Sequence, residues 1–453
     1  MSIREASVEP SEEVLRLREA AVRGERKPKG VEPRLIARAD HSVSRKLVSG
    51  ATLKVLYRLK KSGFKAYLCG GAVRDLMLGR RPKDFDVATN ATPREVKRLF
   101  RNGRIIGRRF RLVHVIFEGE IVEVSTFRRT PDPKYQRSAP DENLITDDNT
   151  WGSPREDAFR RDFTVNALFY SIADFSVIDY CGGVDDLGRS LVRVIGDPDL
   201  RFQEDPVRML RACEFAGRLG FEIEATTRDG IRRNAAEMRK AAPPRMTEEL
   251  LQLLRCGHAA AAMQWMLDLE LLRVVLPQAL AMIKADRQGA GGFTNILPTL
   301  DSLAGGDREL PDAVLLGAVL LPEVLLRRFE FETKKKQAMP LKNFRRVVEE
   351  TLESFLQRFT VPKIKTQMLQ LAFEGFHRMC GTQWTPAQRS RFASKSYFDD
   401  ALLLFEILVL ATGEGHEALE HWQTAQRQRK HRPQPHVDRK RRSRHRSGMR
   451  RRT

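Results

Sequence analysis

The stretch from Tyr67 to Thr89 constrains this 453-residue chain more than any other. Gly70 and Gly71 stand between a short apolar run (Ala66, Tyr67, Leu68) and a helical pattern (Val73, Leu76, Met77), which predicts a strand, a tight turn and a helix. Backbone N–H groups bared by such a turn can seat an anion, and Arg74 and Lys83 add cations nearby. Asp84 and Asp86 then open a second apolar run. On a strand, residues two apart share a face, so both carboxylates would point together while Phe85 and Val87 enter the core. Two such carboxylates repel unless a cation lies between them. Mg²⁺ suits oxygen ligands and is commonly held by one or two carboxylates plus phosphates. Asp-x-Asp alone fits a solvated strand end, and Gly-Gly alone an ordinary turn. Gly-Gly-x-x-Arg-Asp followed eight residues later by Asp-x-Asp is far more specific.

Other segments carry compatible chemistry. Leu53, Leu56, Tyr57 and Leu59 predict a helix before the first strand. Thr92-Pro93-Arg94-Glu95 reads as a capping box opening a helix that ends near Asn102-Gly103. Leu112–Phe117 and Ile121–Phe127 read as a hairpin, with Glu123 between two valines and so pointing away from the face they bury. The Pro-rich segment 129–150 is long enough to be a lid or a disordered loop. In Arg160-Arg161-Asp162-Phe163-Thr164-Val165-Asn166, a helical reading makes Asp162 and Asn166 neighbours that could face a ribose. Arg160 or Arg161 could reach a triphosphate. Asp205 before Pro206 predicts a helix N-cap. Asp205, Arg208 and Arg211, spaced by three, would then present acceptor and donors to a base edge.

Together these motifs resemble the class II nucleotidyltransferase family, which holds bacterial poly(A) polymerases and CCA-adding enzymes. Close resemblance covers residues 41–258 and includes His41–Arg45, Asp179–Leu187 and Arg245–Leu250. It implies an α+β chain: a small polymerase-beta-like head with a mixed sheet, then an all-α neck and body. It implies Asp84, Asp86 and Asp162 as catalytic acids, with Asp84, Asp86 and Glu123 holding Mg²⁺ or Mn²⁺. Gly70, Gly71, Arg74, Lys83, Arg161, Asp162 and Asn166 would seat the nucleotide, and Asp205, Arg208 and Arg211 would read the base. The run Ile105–Leu112 is of a kind typical of poly(A) polymerases. The expected reaction is therefore addition of AMP from ATP to RNA 3′ ends, which in such bacteria marks RNA for decay. The partners so implied are RNA 3′ ends, ATP and the decay machinery, with neither DNA nor membrane. A CCA-adding enzyme would use the same residues. A non-catalytic RNA-binding protein on this scaffold is the alternative of another class.

Charge supports a polyanionic partner. The net charge is +21, and the segment 427–453 alone contributes +12, with thirteen Lys or Arg against Asp438. That tail is too polar to fold alone and is expected to bind RNA through phosphates. Five scattered cysteines without a Cys-x-x-Cys pair suggest a reducing compartment. With no secretory signal and no uninterrupted apolar span, a cytoplasmic location is expected. The expected organisation is a mobile segment 1–45, a head 46–200, a helical neck 201–290, a helical body 291–426 and a disordered Arg-rich tail 427–453.

Overall fold

The computed structural model describes residues 32–107, 111–129, 150–285, 293–304, 309–381 and 384–430. Its first part is built on an eight-stranded sheet. The strands are β1 (Arg34–Ile36), β2 (Ala66–Cys69), β3 (Asp86–Thr89), β4 (Gly103–Ile106), β5 (Leu112–Phe117), β6 (Glu120–Thr126), β7 (Leu168–Ser171) and β8 (Val177–Asp179), in the order β1-β8-β7-β2-β3-β6-β5-β4. Only β3 and β6 run parallel, so the sheet is mixed as expected. One face buries Leu68, Val87, Val113, Val115, Val122 and Val124. Helices α1 (Gly50–Lys61) and α3 (Pro93–Leu99) pack on the sheet, while the short α2 (Gly71–Met77) follows the glycine turn. The predicted capping box at Thr92 and Glu95 is present in both directions. The opposite face carries an aromatic-rich core in which Tyr67, Phe127 and Phe169 meet edge-on or tilted.

Several expectations need correction. Residues 32–45 are tied into the head. β1 pairs antiparallel with β8, Val43 is buried, His41 Nε2 lies 2.9 Å from the Phe175 carbonyl and Ser42 donates to the Leu76 carbonyl at 3.0 Å. Residues 1–31 lie outside the described residues. The helix begun by Thr92 ends at Leu99, and Gly103 starts strand β4, which the polar local sequence conceals. Asp84 precedes β3 instead of lying on it, and Phe85 is only half-buried. The proposed lid falls in 130–149 and part of the Ile105–Leu112 run in 108–110, both outside the described residues.

Helices then take over. α4 (Pro154–Arg160) leads into a 3₁₀ turn at Thr164–Asn166. α5 (Gly183–Gly188) is opened by Asp179, whose carboxylate accepts the N–H groups of Cys181, Gly182, Gly183 and Val184 at 2.9–3.1 Å. A two-stranded parallel sheet pairs β9 (Leu191–Val192) with β10 (Glu222–Ile223). On both of its strands packs α7 (Arg208–Leu219), while α6 (Pro198–Glu204) packs with α8 (Ala225–Asn234), and α9 (Pro243–Arg255) and α10 (Ala259–Asp268) pack with α7.

The chain divides into two compact units: residues 1–310 with 352–361, and residues 311–351 with 362–453. In the second unit, the helix Asp312–Lys335 buries an unbroken run from Ala313 to Pro322. It packs against Lys363–Met379 and Phe398–Thr412. Gly317 allows that approach, since a Cβ there would lie 2.8 Å from Leu404. The last described helix, His416–Lys430, contains Arg429, whose guanidinium is 2.6 Å from Asp399. The tail expected from Arg427 is thus helical to Lys430, and 431–453 lie outside the described residues. No helix among the described residues is long and apolar enough to cross a membrane.

Candidate functional site

Strand register assembles the acids. Asp86 on β3 stands directly beside Glu123 on β6, so both side chains occupy the sheet face opposite the buried valines. Asp84 joins them from the preceding loop, close enough for its charge to act on Asp86. Asp86 is raised from 3.8 to about 7, first by crowding of its carboxylate away from water and then by repulsion from Glu123 and Asp84; Arg161 opposes the shift. The Asp86 residue nonetheless stays open to solvent. The repulsion is therefore the part of the shift that a bound cation would reverse. His114 on β5 is the next residue in register, with Nε2 3.5 Å from Glu123 Oε2.

Among the described residues, no three such side chains already close around one point. The acids converge on one face without forming a cage. That suits a hard divalent ion which takes only one or two protein carboxylates and completes its shell with water and phosphate. The donors are all oxygen and the local charge is in surplus, so the residues present fit Mg²⁺ or Mn²⁺ at Asp84, Asp86 and Glu123.

The glycine turn lies alongside. Gly70 precedes α2 with φ +71°, a conformation that disfavours a side chain, and a Cβ there would come 3.1 Å from Arg161 Nη1. Arg161 donates to Asp157 Oδ2 at 3.0 and 3.2 Å, to the Asn166 carbonyl at 3.3 Å, and lies over the Phe169 ring. Burial works against its charge, but the paired Asp157 carboxylate favours it and its pKa is raised. Cys69 is pushed up to about 12 by burial and is an inert thiol. Lys83 is exposed next to Asp84. Arg74, expected to touch the nucleotide, is only 2% exposed. It bonds Asp75 at 2.8 Å and Asn166 Oδ1 at 2.5 Å and lies over Phe215, so it supports the turn from beneath.

A second constellation surrounds Asp162. The chain there is a turn, not the helix expected, yet Asp162 and Asn166 still meet at 3.2 Å. Asp162 Oδ1 also accepts the Phe163 N–H at 2.8 Å, and Oδ2 takes Arg211 Nε at 2.8 Å and Nη2 at 2.7 Å. Burial would raise this carboxyl, but Arg211 and the N–H donors prevail and hold it below its ordinary value. Both oxygens of Asp162, expected as a catalytic acid, are thus engaged by donors that fix its orientation.

Asp205 does not cap α7. It is the C-cap of α6, and Val207 takes the N-cap position. Its two oxygens receive Arg245 Nη1 of α9 at 3.0 and 2.9 Å. Arg208 is buried, donating to the Arg201 carbonyl at 2.8 Å and to Glu204 at 3.1 Å. Arg211 also lies 3.6 Å from Glu249. Glu249 is raised by burial and drawn back by Arg211 and Arg245, which places it between the Asp162 and Asp205 pairs. Arg245 and Glu249 were readable from the sequence only as part of a motif on α9, not as partners of Asp205 and Arg211. Arg201 links the two constellations by donating to the Arg160 and Arg161 carbonyls at 2.7 Å.

A mixed sheet bearing acids on adjacent parallel strands, followed by helices that lock a chain of ion pairs, defines the polymerase-beta-like nucleotidyltransferase fold. Two family descriptions match the chain: "Poly A polymerase head domain" over residues 66–193 and "Probable RNA and SrmB- binding site of polymerase A" over residues 220–283. Poly(A) polymerase I of Salmonella typhi is 48% identical over 252 residues, 54% of this chain and 53% of that protein. The chain thus spans about half the length of such curated relatives. Poly(A) polymerase I of Haemophilus influenzae is 34% identical over 349 residues, 74% of this chain and 75% of that protein. The crystal structure of the Bacillus stearothermophilus CCA-adding enzyme in complex with CTP is 26% identical, with a TM-score of 0.58 over 83% of this chain and 81% of that one. This chain belongs to the family of poly(A) polymerases and CCA-adding enzymes.

Proposed function

We propose that this protein is a template-independent polymerase that adds AMP from ATP to RNA 3′ ends. The observation that carries the reading is the direct register of Asp86 with Glu123, with Asp84 close by and Asp86 raised to about 7. Asp84, Asp86 and Glu123 would hold Mg²⁺ or Mn²⁺, which when bound lowers the pKa of the attacking 3′-hydroxyl and neutralises triphosphate charge. Arg161, Lys83 and the Gly70–Gly71 turn face the triphosphate side of these acids. In the reaction the RNA 3′-oxygen bonds to the α-phosphorus and pyrophosphate leaves. Asp162 and Arg211 hold Asn166 and the turn in place. Asp205, oriented by Arg245, is the acceptor available to a base edge, while buried Arg208 ties down the end of α6 through the Arg201 carbonyl and Glu204. RNA 3′ ends and ATP are the partners of this reading, and a link to RNA-decay machinery rests on the family resemblance alone.

Preference for ATP is supported by the relatives named poly(A) polymerase I and by the run from Ile105 to Leu112. Addition of CCA to tRNA is the second reading, favoured by the likeness to a CCA-adding enzyme bound to CTP. Incubation with Mg²⁺, each NTP in turn, and either tRNA or unstructured RNA separates them. A long tail grown from ATP alone on unstructured RNA is expected. A three-nucleotide stop on tRNA that requires CTP establishes the second reading. No extension at all leaves an RNA-binding protein on a transferase scaffold.

A further inference from the structure

The row of side chains that carries the acids does not end at Glu123. Asp86 is in register with Glu123, Glu123 with His114, and His114 with Arg104, so these four lie on one face across β3, β6, β5 and β4. Among the described strands β4 lies at the sheet edge, and the row ends there at exposed Arg104. Arg104 is exposed and has no hydrogen-bond or ion-pair partner among the described residues. On the same face, one step to either side, stand Ile106 and Ile121, 36% and 55% exposed. In the other direction the row runs into buried Cys69 on β2, in the middle of the sheet.

We propose that the 3′-terminal segment of the RNA lies along this row, entering over Arg104 at the sheet edge and ending at the carboxylates. The proposal rests on the nucleotidyl-transfer reading of Asp84, Asp86 and Glu123. Three strand spacings of about 4.8 Å put Arg104 about 14 Å from Asp86. That is behind the reacting 3′-terminal nucleotide, where a backbone phosphate must pass. An unpaired guanidinium is the group suited to that phosphate. The exposed isoleucines give flanking apolar edges from which a ribose or base face can displace water. Charge complementarity and continuity with the acids both select a single-stranded RNA end as occupant. The triphosphate is assigned to the Gly70 and Arg161 side of the acids, at the opposite end.

The test compares wild type with Arg104→Ala, Arg104→Lys and Arg104→Glu, and with Lys54→Glu, an exposed position on α1, as a charge control. Binding of labelled single-stranded RNA is followed by anisotropy across a salt series, and KM is measured for RNA and for ATP. Arg104→Ala is expected to weaken RNA binding about tenfold, and to reduce the salt slope by about 0.7, the value of one released counterion on single-stranded nucleic acid. Arg104→Lys should keep most of the affinity, and KM for ATP should not move. RNA carrying uncharged methylphosphonates at its 3′-proximal linkages should bind wild type more weakly but lose nothing further with Arg104→Ala. RNA affinity and slope unchanged in Arg104→Glu, a loss equalled by Lys54→Glu, or a raised KM for ATP instead overturns the proposal. The binding measurements stand without turnover. If wild type extends nothing yet Arg104→Ala shows the binding defect, the nucleotidyl-transfer reading fails and the RNA path survives.

Discussion

The carboxylates on the sheet and those on the helices have opposite fates. Asp84, Asp86 and Glu123 repel one another, and this repulsion adds to the crowding away from water that raises Asp86 to about 7. Asp162, Asp205 and Glu204 each accept a guanidinium at 3.1 Å or less, from Arg211, Arg245 and Arg208 respectively. The helical acids have their counter-charges built in and spend them on geometry, fixing a turn and joining α6, α7 and α9. The sheet acids have no guanidinium bonded to them, only the His114 ring near Glu123 and the more distant Arg161 charge, and on the proposed reading a bound cation would complete their neutralisation. Unmet charge marks the place for chemistry and met charge marks the frame around it.

The contrast can be broken from the frame side first. Arg74→Ala removes a buried guanidinium and strands Asp75 and Asn166, so unfolding free energy should fall by about 3–5 kcal/mol in a denaturant titration. A change within error would show that Arg74 belongs to the nucleotide site and not to the frame. Next in size is the Asp205–Arg245 pair. Arg245→Ala and Asp205→Asn, alone and together, should show a coupling of about 1–2 kcal/mol in kcat/KM for ATP, with an altered ratio of ATP to CTP use. Additive effects would separate the pair from base choice. The smallest effect lies on the sheet. A carboxyl raised from 3.8 to about 7 by folding stabilises the folded state while protonated. That contribution is whole below 3.8 and is lost as pH rises to about 7. Asp86→Asn should therefore gain thermal stability relative to wild type on going from pH 4 to pH 8, by a small amount because Asp86 is open to solvent. Mg²⁺ should raise the wild-type unfolding temperature at pH 8 and leave the variant's unchanged. Parallel pH profiles for the two proteins would remove the like-charge account of Asp86.

Local signals in the sequence were reliable where one short segment determines its own structure. The capping box at Thr92 and the turn at Gly70 depend on neighbours within four residues, and both stand as expected. Asp86 and Glu123 were legible through alternation on their strands together with the family resemblance, although Asp84 lies off the strand. What escaped were partners set by folding. Asp205 precedes a proline and so suggested an N-cap, but Arg245, 40 residues away, claims its carboxylate. Arg74 beside a glycine turn suggested phosphate contact, but Asn166, 92 residues away, and the Phe215 ring draw it inward. β1 and β4 are short edge strands with charged, non-alternating sequences, and only pairing with β8 and β5 defines them.

The most direct test of the account is 3′ extension of labelled RNA by Asp86→Asn in Mg²⁺ and ATP, with RNA binding measured in parallel. Extension should fall by at least about a hundredfold while RNA affinity stays near wild type, because the residue serves the reacting charge and not the frame. Extension at the wild-type rate would contradict the assignment of the sheet carboxylates as the centre of the reaction.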